Sequence, residues 1–361
     1  MISALAATAA AAQGAGTGFA ELGARDAEFA KVTPGRAFSF PEDHGAHEGY
    51  RTEWWYVTAN LTDEAGTALG VQWTLFRSAF EPRGEGEAPP APWSAPFMWM
   101  GHAAVTTAET HLADERFARG AVGHAGVSAA PFRAFIDDWR FEATGADGLD
   151  AARVTARTDE FSYELTLTAD GPVVLQGEQG YSVKTYDGHA SYYYSQPFFR
   201  VAGVVEIDGA PRRVTGRAWM DREWSSRLLG EAQTGWDWFS LHLDNGEKVA
   251  VARVRDQSGD DYRAGVWIAA DGAPTPLGPD DVELIERGRK RVGGVGGRGV
   301  RAPVRWRVKA RDPSGARPPL DVETRALNER SWMATSFPYW EGPIRVSGSH
   351  AGVGYLEMTG Y

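Results

Sequence analysis

A motif pair that occurs twice constrains the fold of this chain more than any other feature of its sequence. In the first copy, Tyr-Ser-Gln-Pro at 194–197 precedes an Arg-Val pair, and Gly-Arg-Ala-Trp-Met-Asp follows at 216–221. In the second copy, Trp-Glu-Gly-Pro at 340–343 precedes another Arg-Val pair, and Gly-Val-Gly-Tyr-Leu-Glu follows at 352–357. A duplicated unit of this size predicts two similar domains in tandem.

Each copy places an aromatic residue two positions before a carboxylate. Residues i and i+2 of a β-strand face the same side of its sheet. Trp219 should therefore share a face with Asp221, and Tyr355 should share one with Glu357. Each unit also begins with an aromatic-rich segment. The second of these, at 236–243, runs into an Asn-Gly pair, which is a strong signal for a hairpin turn.

The composition indicates an all-β protein with little helix. The chain has 361 residues, of which 43 are glycine and 20 are proline, and this suits many short strands joined by turns. Such strands favour a sandwich or an up-and-down barrel. We expect an N-terminal domain at 36–217 and a C-terminal domain at 218–361, with a loop at 221–226 between them. A ligand site is expected in the cleft between the domains.

Charge and cysteine content exclude several classes of function. The net charge of −11 gives no electrostatic case for nucleic acid, and the absence of cysteine excludes disulfides and thiol catalysis. Residues 1–20 are rich in alanine and resemble a signal peptide, although the usual basic residue after Met1 is missing; the alternative is a disordered tail. We therefore expect a periplasmic or secreted protein. No other segment could span a membrane, so an integral membrane protein is not expected.

Several long motifs resemble the carotenoid 1,2-hydratase/AttH-like family, whose close bacterial branch is often labelled "predicted secreted hydrolase". The similar segments lie at 41–56, 191–197, 218–226, 235–246, 339–342 and 354–361, so the resemblance covers nearly the whole chain. It implies two lipocalin-like β-barrels in tandem. It also implies either hydration of a carotenoid double bond or shaping of a polyene for cycloaddition, in both cases without a cofactor. Members are often encoded beside an ABC transporter, which implies such a complex as a partner.

The sequence departs from the hydratases at two places. Their motif has a tyrosine two residues before the acid, where this chain has Trp219, and the segment equivalent to 192–194 carries histidine and tryptophan instead of three tyrosines. The acid itself is kept as Asp221. The departures put carotenoid hydration in doubt but leave an aromatic pocket around one acid.

Acid-catalysed addition to an alkene is the chemistry that these residues best suit. A carboxyl group in an apolar pocket holds its proton near neutral pH, and aromatic faces stabilise a carbocation. We predict Asp221, Tyr194 and His189 as catalytic residues. The predicted ligand-binding residues are Trp54, Trp55, Tyr192, Trp219, Trp238, His242 and Glu53. In the alternative interpretation, Asp221 pairs with Arg222 or Arg217 and the rings are only core.

The other candidate sites are weaker. Glu42, Asp43, His44, His47 and Glu48 have a metal-like composition, but their spacing favours a structural loop, and no metal or cofactor is expected. No Gly-x-Ser-x-Gly elbow is present, so a secreted hydrolase is only a second alternative. The main hypothesis is a hydratase or isomerase acting on a hydrophobic small molecule. The competing hypothesis is a non-enzymatic carrier of a lipid or other hydrophobic ligand that works with the transporter.

Overall fold

The computed structural model describes residues 28–84, 87, 96–120, 123–145, 148–227, 229–293 and 299–361. The expected leader at 1–20 lies outside these residues. Within them, helix is confined to one 3-10 turn at Glu42–His44, and the rest of the regular structure is antiparallel strand. The all-β expectation is confirmed, and so is the tandem pair of barrel-like domains.

The first barrel is a sheet of thirteen strands. They are β1 (Thr52–Asp63), β2 (Ala68–Ala79), β3 (Phe97–Thr106), β4 (His111–Arg119), β5 (Ala125–Ala129), β6 (Phe132–Ile136), β7 (Trp139–Ala143), β8 (Ala151–Arg157), β9 (Phe161–Ala169), β10 (Val174–Leu175), β11 (Tyr181–Val183), β12 (Ala190–Ile207) and β13 (Ala210–Ser225). Their order is β4-β3-β2-β1-β13-β12-β9-β8-β7-β6-β5, with β10 and β11 paired to β12. The sheet curls until β4 meets β6.

The second barrel is a sheet of ten strands. They are β14 (Gln233–Leu243), β15 (Lys248–Asp256), β16 (Tyr262–Ile268), β17 (Pro274–Leu277), β18 (Val282–Arg291), β19 (Arg301–Ala310), β20 (Leu320–Ala326), β21 (Trp332–Met333), β22 (Tyr339–Gly348) and β23 (Gly352–Met358). Their order is β17-β16-β15-β14-β23-β22-β20-β19-β18, with β21 paired to β22.

The two strand orders repeat each other. In each unit the first four strands (β1 to β4, and β14 to β17) are neighbours in the sheet. The first of them, β1 or β14, pairs with the last strand of the unit, β13 or β23. That last strand also pairs with the strand before it, β12 or β22. The duplicated motifs lie on equivalent strands. In the first unit Ser195 is in register with Asp221, and in the second Glu341 is in register with Glu357. The sequence repeat therefore corresponds to a structural repeat.

The domain boundary differs from the sequence-based prediction. Residue 217 lies in the middle of β13, which pairs with β1 as far as Ser225. Residues 221–225, expected to form a loop between the domains, therefore belong to the first sheet. Backbone pairing to β1 on one side and β12 on the other holds them there. The chain crosses to the second barrel between Ser225 and Gln233.

Each barrel has its own apolar interior, and a further apolar cluster lies between the barrels. The interiors are filled by aromatic and branched side chains such as Trp73 and Phe141 in the first unit and Phe239 and Trp306 in the second. The third cluster joins residues of both units: Val174, Phe198, Trp219, Ala250, Val266 and Ile268, with Trp238 against them. The barrels are thus packed together through the outer faces of their sheets.

Candidate functional site between the barrels

A cavity of about 660 Å³ lies between the two sheets and is mostly apolar. It faces the outer side of the first sheet, whose interior side is filled by the core. The first barrel contributes Thr52, Trp54, Tyr56, Phe76, Met100, His102, Tyr193, Asp221 and Glu223, and the second contributes Trp236, Trp238, Ala250, Ala252, Val254, Tyr262, Ala264, Tyr339 and Glu357. Its size is in the range of ordinary small-molecule sites.

Asp221 lies in the wall of this cavity and is only 3% exposed. In the part of the chain that the structure describes, all its hydrogen-bond donors are neutral. The Trp219 indole donates to its Oδ1 from 2.8 Å, and the hydroxyls of Ser195 and Tyr193 also bind the carboxyl group. The predicted sharing of one face by Trp219 and Asp221 is therefore observed as a direct contact.

Burial raises the pKa of Asp221 to about 7, against the hydrogen bonds from Ser195, Trp219 and Tyr193. The carboxylate of Glu223, two residues along the same strand, raises it further. The alternative interpretation, in which Asp221 pairs with an arginine, is wrong for Arg222. That guanidinium reaches to the opposite face of the sheet and binds Glu53. Asp221 is therefore a carboxyl group that can carry a proton near neutral pH.

Glu357 lies on the second barrel's side of the cavity and repeats the position of Asp221. The Trp236 indole donates to its Oε1 from 2.6 Å. Burial raises the pKa of Glu357 to about 7, and the charges of Asp221 and Glu223 add to this rise. Two structurally equivalent carboxyl groups thus share one cavity.

Glu341 lies beside Glu357 on the neighbouring strand and is buried. The hydroxyl of Tyr56, from the other barrel, donates to Glu341 Oε1. Burial, followed by the charge of Glu357, raises the pKa of Glu341 well above its ordinary value. The side chain of Tyr339 also hydrogen-bonds to Glu341, and its hydroxyl lies 2.9 Å from His102 Nδ1.

Glu223 differs from these acids because it has a cation. Lys184 Nζ lies 2.9 Å from its Oε1, and the Ser191 hydroxyl donates to the same oxygen. Lys184 also sits over the ring of Tyr193, 4.6 Å from the centroid. The cavity therefore holds one ion pair next to two carboxyl groups, Asp221 and Glu357, that have only neutral donors among the described residues.

Strand alternation separates several residues that were predicted to bind ligand together. Trp54 lines the cavity, whereas Trp55 points into the first barrel and packs against Trp99 at 6.0 Å between ring centroids. Likewise Tyr193 lines the cavity, whereas its neighbours Tyr192 and Tyr194 point inward. Adjacent residues of a strand face opposite sides, so only one member of each run could reach the site.

Tyr194, predicted to be catalytic, and Tyr192, predicted to bind ligand, instead hold the segment that precedes β1. The Tyr194 hydroxyl lies 2.6 Å from His44 Nδ1, and the Tyr192 hydroxyl receives a hydrogen bond of 3.0 Å from the Thr33 amide. Both rings pack edge-on against Phe38. Their hydroxyls are occupied within the first barrel, away from the cavity.

Trp238 and His242 lie on the inter-barrel face of β14. Trp238 lines the cavity and packs edge-on against Tyr56, with ring centroids 5.5 Å apart. His242 is buried behind Trp219, donates from Nε2 to the Pro197 carbonyl at 3.0 Å, and has its pKa lowered by burial to about 3. It joins the barrels as a neutral ring and does not line the cavity.

His189 and Glu53 are also separate from the cavity. His189 Nε2 lies 3.6 Å from Asp187 in the turn before β12. Glu53 is completely buried between Arg77 and Arg222, whose charges, with the hydrogen bond from His47, hold its pKa well below the ordinary value against desolvation. It serves the fold of the first barrel.

The metal-like segment at 42–48 forms a structural loop. Asp43 accepts hydrogen bonds from Arg36 Nη1 and from the Ser39 amide, and it also contacts His47. His47 stacks on Trp224 with ring centroids 3.8 Å apart. No group of three or more metal-ligating side chains occurs in the part of the chain that the structure describes.

Comparison with known proteins assigns the family. A model of the AttH-like family matches residues 31–361. The chain belongs to the AttH-like family. A solved AttH structure from Nitrosomonas europaea is 30% identical, covers 92% of this chain and 99% of its own, and superposes with a TM-score of 0.81. No curated protein matches the sequence.

Two further solved structures share the fold of this AttH-like protein at lower identity. Kievitone hydratase from Nectria haematococca is 16% identical, covers 92% of this chain and 96% of its own, and has a TM-score of 0.67. CghA, solved with Sch210972, is also 16% identical, covers 86% of this chain and 88% of its own, and has a TM-score of 0.54. Among the described residues, no helix is long and apolar enough to cross a membrane.

Proposed function

We propose that this protein binds a hydrophobic alkene between its barrels and adds water to the double bond, with Asp221 as the proton donor and without a cofactor. The observation that carries this proposal is the state of Asp221. It is nearly unexposed, it lines an aromatic cavity, and its hydrogen-bond donors among the described residues are neutral. A pKa of about 7 lets the carboxyl group carry a proton under ordinary conditions.

Protonation of a carbon atom leaves a cation, and the cavity is suited to stabilise it. The rings of Tyr56, Trp54, Trp236 and Trp238 line the space in front of the acid. An aromatic face attracts a desolvated cation by up to about 2 kcal/mol. Most of the surface that lines the cavity is apolar, which favours an apolar substrate. The shared fold with a hydratase supports the same class of reaction.

Turnover in isotopic water tests the reaction directly. Geraniol, squalene and lycopene each contain trisubstituted alkenes and differ in length. Incubation in ¹⁸O-labelled water should add one labelled water to at least one of them, as detected by mass spectrometry. Asp221→Asn should abolish this addition because an amide cannot donate a comparable proton. The same variant should still quench its tryptophan fluorescence when parinaric acid, a polyene fatty acid, binds.

The carrier hypothesis predicts a different result. A carrier would bind parinaric acid and the alkenes but return them unchanged, and Asp221→Asn would not alter that outcome. Such a result overturns the hydratase proposal. Copurification of the protein with an ABC transporter, followed by ligand transfer to vesicles containing it, would then establish the carrier role.

We further propose that the protein acts outside the cytoplasm. The alanine-rich segment at 1–20 supports this, since its composition resembles a signal peptide. Fractionation of cells that produce the full chain should find it in the periplasm or medium. Removal of residues 1–20 should leave it in the cytoplasm. Equal distribution of both forms would contradict the proposal.

A further inference from the structure

We propose that Glu357 is a second catalytic carboxyl group, which accepts the proton lost by the adding water while Asp221 gives its proton to the alkene carbon. This inference rests on the proposed hydration and adds a residue to it. It assigns opposite roles to the two repeats, one as proton donor and the other as proton acceptor.

The position of Glu357 carries the inference. Its partly exposed side chain lines the same cavity as Asp221, from the opposite barrel. The two residues are equivalent in the repeat, since each is in register with a side chain of the preceding motif, Ser195 or Glu341. A substrate in the cavity would therefore have one carboxyl group on each barrel's side, so one could serve the carbon that is protonated and the other the water that attacks.

The hydrogen bonds of Glu357 leave it able to accept a proton. The Trp236 indole fixes Oε1 from 2.6 Å, and the Tyr56 hydroxyl, which also binds Glu341, contacts the carboxyl group. Both of these donors are neutral. An oriented carboxylate that has no cationic partner is a stronger base than a salt-bridged one.

The charged and titratable groups around Glu357 are almost all acidic. The groups that interact with it are Asp221 and Glu223 on β13, Glu341 and Tyr339 on β22, and Tyr56 on β1. Among the described residues that line the cavity, the lysine or arginine side chain is that of Lys184, and it is bound to Glu223. Several like charges cannot all be ionised in one buried site, so these carboxyl groups share a limited number of negative charges. A state with Asp221 protonated and Glu357 ionised is therefore accessible near neutral pH.

The reaction balances in these roles. The π electrons of the alkene take the proton from Asp221, so a C–H bond forms and a carbocation remains. A water molecule on the other side attacks the cation, a C–O bond forms, and its surplus proton passes to Glu357. The product is the alcohol, with Asp221 ionised and Glu357 neutral. Loss of a proton from Glu357 to solvent and uptake of one by Asp221 restore the starting state.

The pH dependence of kcat/KM tests these roles, measured with whichever of geraniol, squalene and lycopene the wild type hydrates fastest. The wild type should give a bell-shaped profile, because the donor fails at high pH and the acceptor at low pH. Glu357→Gln should lower kcat about 100-fold with little change in KM, and the low-pH limb should disappear. Glu323→Gln, an exposed change on β20, is the matched control and should reproduce the wild type.

A second variant keeps the inference open to refutation if Glu357→Gln does not fold. Glu223→Gln removes a negative charge that raises the pKa of Glu357, so the low-pH limb should move to lower pH. Infrared spectra of protonated carboxyl groups give a readout that needs no substrate. In Asp221→Asn, one band of a protonated carboxyl group should be lost and another should titrate at lower pH than in the wild type, because the negative charge beside Glu357 is gone.

Each outcome decides a separate question. If the wild type hydrates none of the three alkenes, the proposed function fails, and the catalytic role of Glu357 fails with it. If the wild type is active and folded Glu357→Gln keeps its rate and its bell-shaped profile, only the role of Glu357 is overturned. An unmoved low-pH limb in Glu223→Gln would also overturn it.

Discussion

Two buried acids of the first barrel show how neighbouring side chains set the role of a carboxyl group. Glu53 and Asp221 lie on adjacent, directly paired strands. Glu53 points inward and is held by two guanidinium groups, whereas Asp221 points to the cavity and is held by neutral donors. A buried carboxyl group without a cationic partner lowers the stability of the fold, and such groups are found mainly where a reaction needs a proton. The contrast favours a structural role for Glu53 and a catalytic role for Asp221.

The ion-pair cluster should be essential to folding. Glu53→Gln leaves Arg77 and Arg222 buried without their carboxylate, and breaking a buried pair typically costs about 3 to 5 kcal/mol. Urea denaturation near neutral pH should therefore show a loss of this size, with parinaric acid binding unchanged in the fraction that folds. An unaltered unfolding midpoint would contradict the assignment of Glu53 to structure.

Asp221 should destabilise the protein in a pH-dependent way. Its pKa is about 7 when folded and 3.8 ordinarily, so between these values the unfolded chain releases a proton that the folded chain keeps. The free energy of unfolding therefore falls as pH rises through this window. The asparagine of Asp221→Asn does not titrate. The free energy of unfolding of this variant should therefore rise relative to that of the wild type by about 4 kcal/mol across the pH window.

Urea denaturation below and above this pH window measures the difference. The gain of Asp221→Asn over the wild type should be absent below the window and complete above it. Curves of unfolding free energy that stay parallel for the two proteins at all pH values would show that Asp221 is not a carboxyl group with a raised pKa.

At the scale of strands, the repeat could be predicted from sequence because the order of the motifs and the alternation of residues along a strand are local patterns. The order of motifs predicted two units, and the period of two placed Trp219 and Asp221 on one face, as the structure confirms. The same period could have separated Trp54 from Trp55 and pointed to Tyr193 instead of Tyr192 and Tyr194. What it could not supply was which face is outward, since both faces of these strands carry buried aromatic residues.

The glycine that opens the last motif of each unit has a packing role. A Cβ atom at Gly216 would lie 2.1 Å from the Asn60 carbonyl oxygen, and one at Gly352 would lie 2.2 Å from that of His242. Both obstacles are backbone atoms of the paired strand. The sequence repeat of glycine at this position therefore reflects close approach of equivalent strand pairs.

Substitution of this glycine should loosen the strand pair that carries the site. Gly216→Ala must push β1 away from β13 and should lower the free energy of unfolding by about 2 kcal/mol or more. Gly288→Ala, where no atom lies within 4 Å of the added Cβ, is the control and should be nearly neutral. Thermal melts of the two variants decide the matter, and equal melting temperatures would refute the packing role.

At the scale of the whole molecule, the site depends on how the barrels dock. Tyr56 binds Glu341, His102 contacts Tyr339, and Pro197 accepts from His242, so polar contacts join the units around the apolar cluster. The sequence predicted a cleft between domains but not these partners. Each contact joins residues far apart in the chain, and no local pattern records such a pairing.

The docked barrels should stay together without a covalent connection. A protease site inserted in the segment 226–232 would allow the crossover to be cut after folding. The cut halves should elute together by gel filtration, also at high salt, because much of the interface is apolar. They should still quench on binding parinaric acid, with the uncut protein as reference. Elution as two separate barrels would contradict the observed docking.

The way the barrels face each other has a consequence for symmetry. Tyr56 lies against Trp238, and Asp221 interacts with Glu357, so equivalent positions of the two repeats meet across the cavity. A dimer of identical barrels joined in this way would have to present the same residue from both sides. One continuous chain is free of that restriction: beside its two acids it carries Ser195 in one half and Glu341 in the other. A pocket whose two walls come from equivalent strands can thus have a direction, with different chemistry on its two sides.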